Sequence, residues 1–416
     1  MSYSIHEVLG IPVIFNTTGT PMVSVRVIVN AGSTHEDVPG TAHFLEHMFF
    51  KGSEKRGYEE INRIAARMGN TNAYTCPNRT VFTIDTVEGK VLEALELLLE
   101  MLFTPKLDPA EIEKERSVIL EEWRAGEDDP VGFMIESAVN LVSPNRNGRP
   151  VIGTEDSIKS ITANTLRDFR SKNYTRQNLA IAIIGGTTID SEPIDSAIAG
   201  YGWYLIDSSK NDIVTLEKDF KPWEEDHSRA ITHVAGQAGI CLFTPWVSAA
   251  EDQNLASHVL ANMLGEGMHS LLFNRLREQS GLCYATGCSP MGSWDDQSLL
   301  CYALLSPENV IRGVTEMKAV LEELALGQFD DDLLEISLAN SLFASASRSE
   351  TASGWAQTFV DDYFYFEKVG LIPEIFHGYD FITSRLGSMD MVQLREEIIV
   401  IAKKMVTQSL TVVMNG

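Results

Sequence analysis

The order of elements in the first 125 residues comes round again after residue 230, and this repetition limits the fold more than any single segment does. "VSVRVIVN" (23–30) alternates, so Val23, Val25, Val27 and Val29 share one face of a strand. A helix is expected over 41–52, with Thr41 capping its start and Gly52 ending it. A second follows over 57–69, where Tyr58, Ile61, Ile64, Ala65 and Met68 recur at helical spacing. "NTNAYT" (70–75) and "RTVFTIDTV" (79–87) read as two strands joined by a turn at Pro77 and Asn78. Helices over 88–103 and 108–125 come next; the second opens "DPAE", with Asp108 as N-cap, Pro109 at the first helical position and Glu111 placed to complete a cap. Past residue 230 a strand at "AGICLFTPW", a long helical run, "LCYATGCS", the strand "QSLLCYALL" (297–305) and another helix repeat the order.

A period of roughly 200 residues implies duplicated domains rather than a solenoid. The strands occur in runs mixed with helices, which places the chain in the α+β class. The expected architecture is two homologous domains, each a mixed or antiparallel sheet with helices packed on one face. Their bounds are 1–210 and 229–416, and the polar, weakly periodic segment 211–228 is the linker.

Composition removes several classes of function. With 44% hydrophobic and 22% charged residues the chain is globular. No run of 18 apolar residues occurs, and the start "MSYSIHEVLGIPVIFN" carries no secretory pattern. The expected location is the cytoplasm, or an organellar matrix if a presequence has been removed. Five scattered cysteines without a CxxC pair are expected to be free thiols in a reducing compartment. Thirty-three basic against 58 acidic residues give a net charge of −25, which argues against nucleic acid and anionic membrane as partners. It leaves room for basic peptides.

One piece of the first half has no counterpart in the second: "GTAHFLEHMFFKG" (40–52). On a helix His43 and His47 stand one above the other, so two imidazoles can meet one metal ion. Glu46 lies near that face but offset from it. HxxEH is HExxH read backwards, with two histidine ligands and a glutamate beside the metal as general base. A third protein ligand is needed, and a carboxylate is the usual one at catalytic zinc. The capped helix "DPAEIEKERSVILEEW" offers Glu115 and Glu122, two helical turns apart, flanking an apolar stripe of Val118 and Ile119. Glu121 lies about 100° away round the helix.

These residues resemble the inverzincin, or pitrilysin-type, metallopeptidases, in which HxxEH is followed by a helix of the form ExxxxxxE. The branch it is most similar to is the half-length one, related to mitochondrial processing peptidase and its bacterial relatives. The resemblance implies one Zn2+ per chain held by His43, His47 and Glu122. It makes Glu46 the base and Glu115 a carboxylate supporting the ligands. "NTNAYT" resembles the family's edge strand, with Asn72 and Ala73 at the contact with a peptide substrate. "RLREQSGLCY" resembles its Arg-x6-Tyr pair, here Arg277 and Tyr284, which reaches the substrate carbonyl and the oxyanion. The activity implied is zinc-dependent hydrolysis of peptides or presequence-like segments in a closed chamber. The clamshell is expected to form from two chains: a homodimer, or a heterodimer with a related chain. A non-catalytic core subunit of the same family is the alternative reading.

Overall fold

The computed structural model describes residues 2–415 apart from 143–149, 205–206, 208, 213–227, 233–237, 249–250, 292–296, 373–376 and 378. Nearly all of the 211–228 linker lies outside the described residues. The first sheet has strands β1 (Ser2–Val8), β2 (Ile11–Thr17), β3 (Thr20–Val29), β4 (Asn70–Thr75), β5 (Thr80–Val87) and β6 (Leu179–Gly186) in the order β1-β2-β6-β3-β5-β4. The second has β7 (Ser228–Thr232), β8 (Ala238–Ser248), β9 (Cys283–Met291), β10 (Gln297–Leu305) and β11 (Leu410–Asn415) in the order β7-β11-β8-β10-β9. In each sheet one pair is parallel, β2 with β6 and β7 with β11, and the others are antiparallel. Both sheets are therefore mixed, and the α+β class stands.

Helices α1 (Thr41–Phe49), α2 (Tyr58–Met68), α3 (Val91–Phe103), α4 (Pro109–Glu127) and α5 (Pro130–Val142) precede β6, as do α6 (Glu155–Ser160) and α7 (Ala163–Asn173). After it come α8 (Ser191–Tyr201), α9 (Glu251–Gly265), α10 (Val310–Ala325), α11 (Asp331–Ser349), α12 (Ala352–Phe359) and α13 (Tyr363–Val369). Among the described residues no helix is long and apolar enough to cross a membrane.

The compact units do not follow the linear bounds 1–210 and 229–416. One comprises Met1–Trp123, Arg149–Val214 and Ser347–Gly378; the other comprises Arg124–Gly148, Thr215–Ala346 and Tyr379–Gly416. The reason lies in strand alternation. In β3, Val25, Val27 and Val29 face a core shared with Leu95, Leu98 and Leu99 of α3. Arg26, between them, faces the other way, and α12 packs there against β3 and β6. The second unit repeats the device. Ile240 and Leu242 of β8 face α9 and α10, while Cys241 and Phe243 face Met134 and Ala138 of α5. Each sheet thus has its main helical layer on one face and a helix from the opposite half of the sequence on the other.

Two local expectations for α1 change. Thr41 is the first helical residue rather than the cap, and the helix stops at Phe49, short of Gly52. The orphan N–H groups at its start are taken by the buried Glu36 carboxylate, which accepts from Gly40 N (2.7 Å) and Ala42 N (2.8 Å). A negative charge there also suits the helix dipole. In α4, Asp108 does cap, accepting from Ala110 N at 2.9 Å. Its buried face is Ile112, Glu115 and Ile119, whereas Val118 is 51% exposed and falls off the stripe. Gly69 turns the chain from α2 into β4 at φ +144°, where a Cβ would sit 2.2 Å from the Asp85 carbonyl oxygen. No other residue fits that turn without displacing the edge strand. All five cysteines are free thiols.

Candidate metal centre

Helix α1 buries Phe44, Leu45, Met48 and Phe49 in the first core, and this turns His43 and His47 outward together. Their rings lie 4.6 Å apart at an interplanar angle of 62°. Glu122, near the end of α4 and half exposed, closes over them: His43 Nε2 is 3.6 Å from its Oε1 and His47 Nε2 is 3.5 Å from its Oε2. These separations are long for hydrogen bonds. They match the spacing of ligand atoms round one tetrahedral zinc, about 3.3 Å for bonds of 2.0–2.1 Å. One donor atom from each of the three residues lies within 4.8 Å of the other two, and the set is two imidazoles and a carboxylate. The residues present fit a zinc ion.

The neighbours tune this set. His47 Nδ1 is 2.8 Å from Glu115 Oε1, and the other Glu115 oxygen is paired with Lys51 Nζ. With Nδ1–H donated to Glu115, His47 presents the lone pair of Nε2 to the centre. Burial works against charge on His47, but Glu115, Glu46 and Glu122 outweigh it and its pKa is raised. Burial, with the neighbouring His47, pushes His43 down to about 3, so its ring is neutral and free to ligate. Burial also disfavours charge on Glu115, yet the hydrogen bonds from His47 and Lys51 prevail and hold its carboxyl below the usual range.

Glu46 stands apart from the three. It is 7% exposed, and its Oε2 accepts from Thr75 Oγ1 at 2.6 Å. Burial lifts its pKa, with Glu122 adding to the rise and Thr75 and His47 opposing it. A carboxyl raised in this way, with Oε1 uncommitted to Thr75, is suited to taking up and returning a proton.

Residues 13–154 match the family described as insulinase (peptidase family M16), and residues 160–341 match the peptidase M16 inactive domain. The chain belongs to peptidase family M16. It is 30% identical over 294 residues to a Bacillus subtilis protein named uncharacterized zinc protease YmxG, covering 69% of each chain. It is 26% identical over 319 residues to an uncharacterized zinc protease of Rickettsia bellii, covering 75% of each chain. A protease of Helicobacter pylori shares the fold over 100% of this chain and 99% of its own, with a TM-score of 0.86 at 22% identity. The description of the second half as inactive agrees with the sequence, where HxxEH occurs once, at 43–47.

The other residues singled out from the sequence lie as follows. Asn72 is exposed and Ala73 half-buried on β4, which is an edge of its sheet. Arg277 and Tyr284 belong to the second unit and meet there. The guanidinium lies over the Tyr284 ring at 5.4 Å and over Phe273 at 4.9 Å, and Arg277 Nη1 donates to the Tyr284 carbonyl at 3.2 Å. The Tyr284 side chain is 83% exposed. Sequence reasoning missed Lys51 and Thr75. Lys51 had a signal, since it follows His47 by one helical turn; Thr75 had none beyond ending the edge strand.

Proposed function

We propose that this chain is a zinc-dependent endopeptidase that hydrolyses peptides or unfolded segments laid along β4. The observation that carries the reading is the placing of Glu46. It is buried beside three converging ligand groups, yet it is bonded to Thr75 and not to them. His43, His47 and Glu122 would hold the ion, and zinc supplies Lewis acidity toward a water and a peptide carbonyl.

The chain's own groups do the rest. Glu46 Oε1 takes the proton of the attacking water, and the carboxylic acid so formed returns it to the leaving amine. The raised pKa makes the carboxylate a stronger base toward that proton. Thr75 fixes the carboxyl, so the proton is taken at a set point. Asn72 and Ala73 lie on a strand edge that an extended peptide can join by main-chain hydrogen bonds. The Tyr284 hydroxyl and the Arg277 guanidinium, which lies over the tyrosine ring, are the donors for the oxyanion. We further propose that two copies of the chain pair, so that Arg277 and Tyr284 of one serve the metal centre of the other.

The test is Glu46→Gln. Zinc content should stay at one per chain, while hydrolysis of a fluorogenic peptide falls by at least about 100-fold, the scale of general-base catalysis. A variant with near-normal turnover would remove Glu46 from the reaction. Wild-type turnover that survives a chelator would remove the metal.

A further inference from the structure

Strand β4 is held from both faces by side-chain hydroxyls on successive residues. Neighbouring residues of a strand point to opposite faces. Thr75 points to the face of α1 and donates to Glu46. Tyr74 points the other way, and its hydroxyl donates to the carboxylate of Asp361. Asp361 is 1% exposed and lies just past α12, within the segment 347–378 that completes this unit. The same carboxylate is paired with Arg26 from the centre of β3, and Arg26 is fixed in turn by Ser24 Oγ (3.0 Å) and by the Ser353 carbonyl (3.0 Å). The next residue, Asp362, pairs with Arg79 at the end of the β4–β5 turn.

An edge strand has neighbours on one side and is among the looser parts of a sheet. Here its far end is tied at three points: to the base by Thr75, to Asp361 by Tyr74, and through the turn to Asp362 by Arg79. We propose that Tyr74, Asp361 and Asp362 form a clamp that positions β4 to receive a substrate strand in register with Glu46. The clamp rests on the endopeptidase reading for its use, though not for its existence. Tyr74, Asp361 and Asp362 are positioning residues, because they act through β4 and touch no reacting atom.

A free β4 loses affinity by ordering itself on each binding event, so the loss should fall on KM more than on kcat. It should also grow with the length of peptide that lies on the strand. Asp361→Asn would strand the buried Arg26 charge and threaten folding, so Tyr74→Phe and Asp362→Asn carry the test. Amide hydrogen exchange on metal-free protein reads the clamp without any catalysis. In Tyr74→Phe the 70–75 segment should exchange about tenfold faster, the scale of one hydrogen bond to a charged partner, while β3 and β6 keep their protection. With zinc restored, KM for a peptide of about ten residues should rise about five- to tenfold, and by clearly less for one of about four. Asp362→Asn should move the same readouts in the same direction.

Exchange within about twofold of wild type at 70–75 in both variants overturns the clamp. So does an equal loss on long and short peptides, which marks a general loss of structure. If wild-type protein cleaves neither peptide, the endopeptidase reading fails, and the exchange result still decides the clamp.

Discussion

Removing Glu115 tests how much of the metal centre is built by a residue that need not touch the metal. Its carboxylate is 4% exposed, receives His47 Nδ1–H at 2.8 Å and is paired with Lys51. A hydrogen bond to a charged group contributes about 1.5–3 kcal/mol, and removal of such an outer partner lowers metal affinity about 10–100-fold, or about 1.4–2.7 kcal/mol. The two ranges agree, so Glu115→Ala should weaken zinc binding toward the 100-fold end. Glu115→Gln keeps an oxygen for Nδ1–H but drops the charge, and should lose about tenfold. Lys51 acts on His47 only through Glu115, so Lys51→Met should weaken binding by itself but add nothing in the Glu115→Gln background. Competition against a chromogenic chelator at fixed pH measures all four variants against wild type. Zinc affinity of Glu115→Ala within about threefold of wild type would refute the reasoning. An undiminished Lys51→Met effect in the double variant would refute the relay.

Glu122→Gln should strip or weaken the metal while Glu121→Gln leaves zinc content near wild type, since about 100° of helix separates them; metal analysis after dialysis decides, and an empty Glu121→Gln site would reassign the ligand. Burial and the Glu367 and Glu7 carboxylates hold the Tyr363 hydroxyl up to about 12, above its ordinary 10.0. The unfolded chain gives up this proton first, so stability present below pH 10 is lost as pH rises toward 12, and Tyr363→Phe should flatten the fall in urea midpoint above pH 9.5. Mixing Glu46→Gln with Tyr284→Phe protein should restore part of the peptide hydrolysis that each lacks, once each variant is shown impaired and the subunits are shown to exchange. No recovery would mean that each chain uses its own pair.

What could be read from the sequence follows from where periodicity reaches. Helical phase relates residues within about two turns, so His43, Glu46 and His47 on α1 and Glu115 and Glu122 on α4 were all legible as facing sets. The same phase misplaced Val118, because a stripe drawn through Glu115 and Glu122 says nothing about which flank the core takes. Strand alternation separated the valines of β3 from Arg26 correctly. It could not say that Arg26 is buried, since its partner Asp361 is 335 residues away and no local pattern announces it. Glu36 replaced Thr41 as the cap of α1 for a similar reason. A carboxylate four to six residues upstream can reach the helix start only through a loop whose path the sequence does not specify.

The packing of α12 on the first sheet and of α5 on the second, each drawn from the opposite half of the sequence, sets a schedule for the chain as it leaves the ribosome. The last strand of the first sheet ends at Gly186, but the helix that covers Arg26 begins at Ala352, 166 residues later. At about 5–20 residues per second that interval lasts roughly 8–30 s. Throughout it the first unit has its candidate metal-binding residues made and one face of its sheet uncovered, with Arg26 waiting for Asp361. Helix α5 waits likewise for β8, which begins at Ala238. Neither unit is finished until synthesis has passed α13, so both cores stay incomplete for most of the chain's translation. The first unit is completed only by a segment that emerges near the end of synthesis.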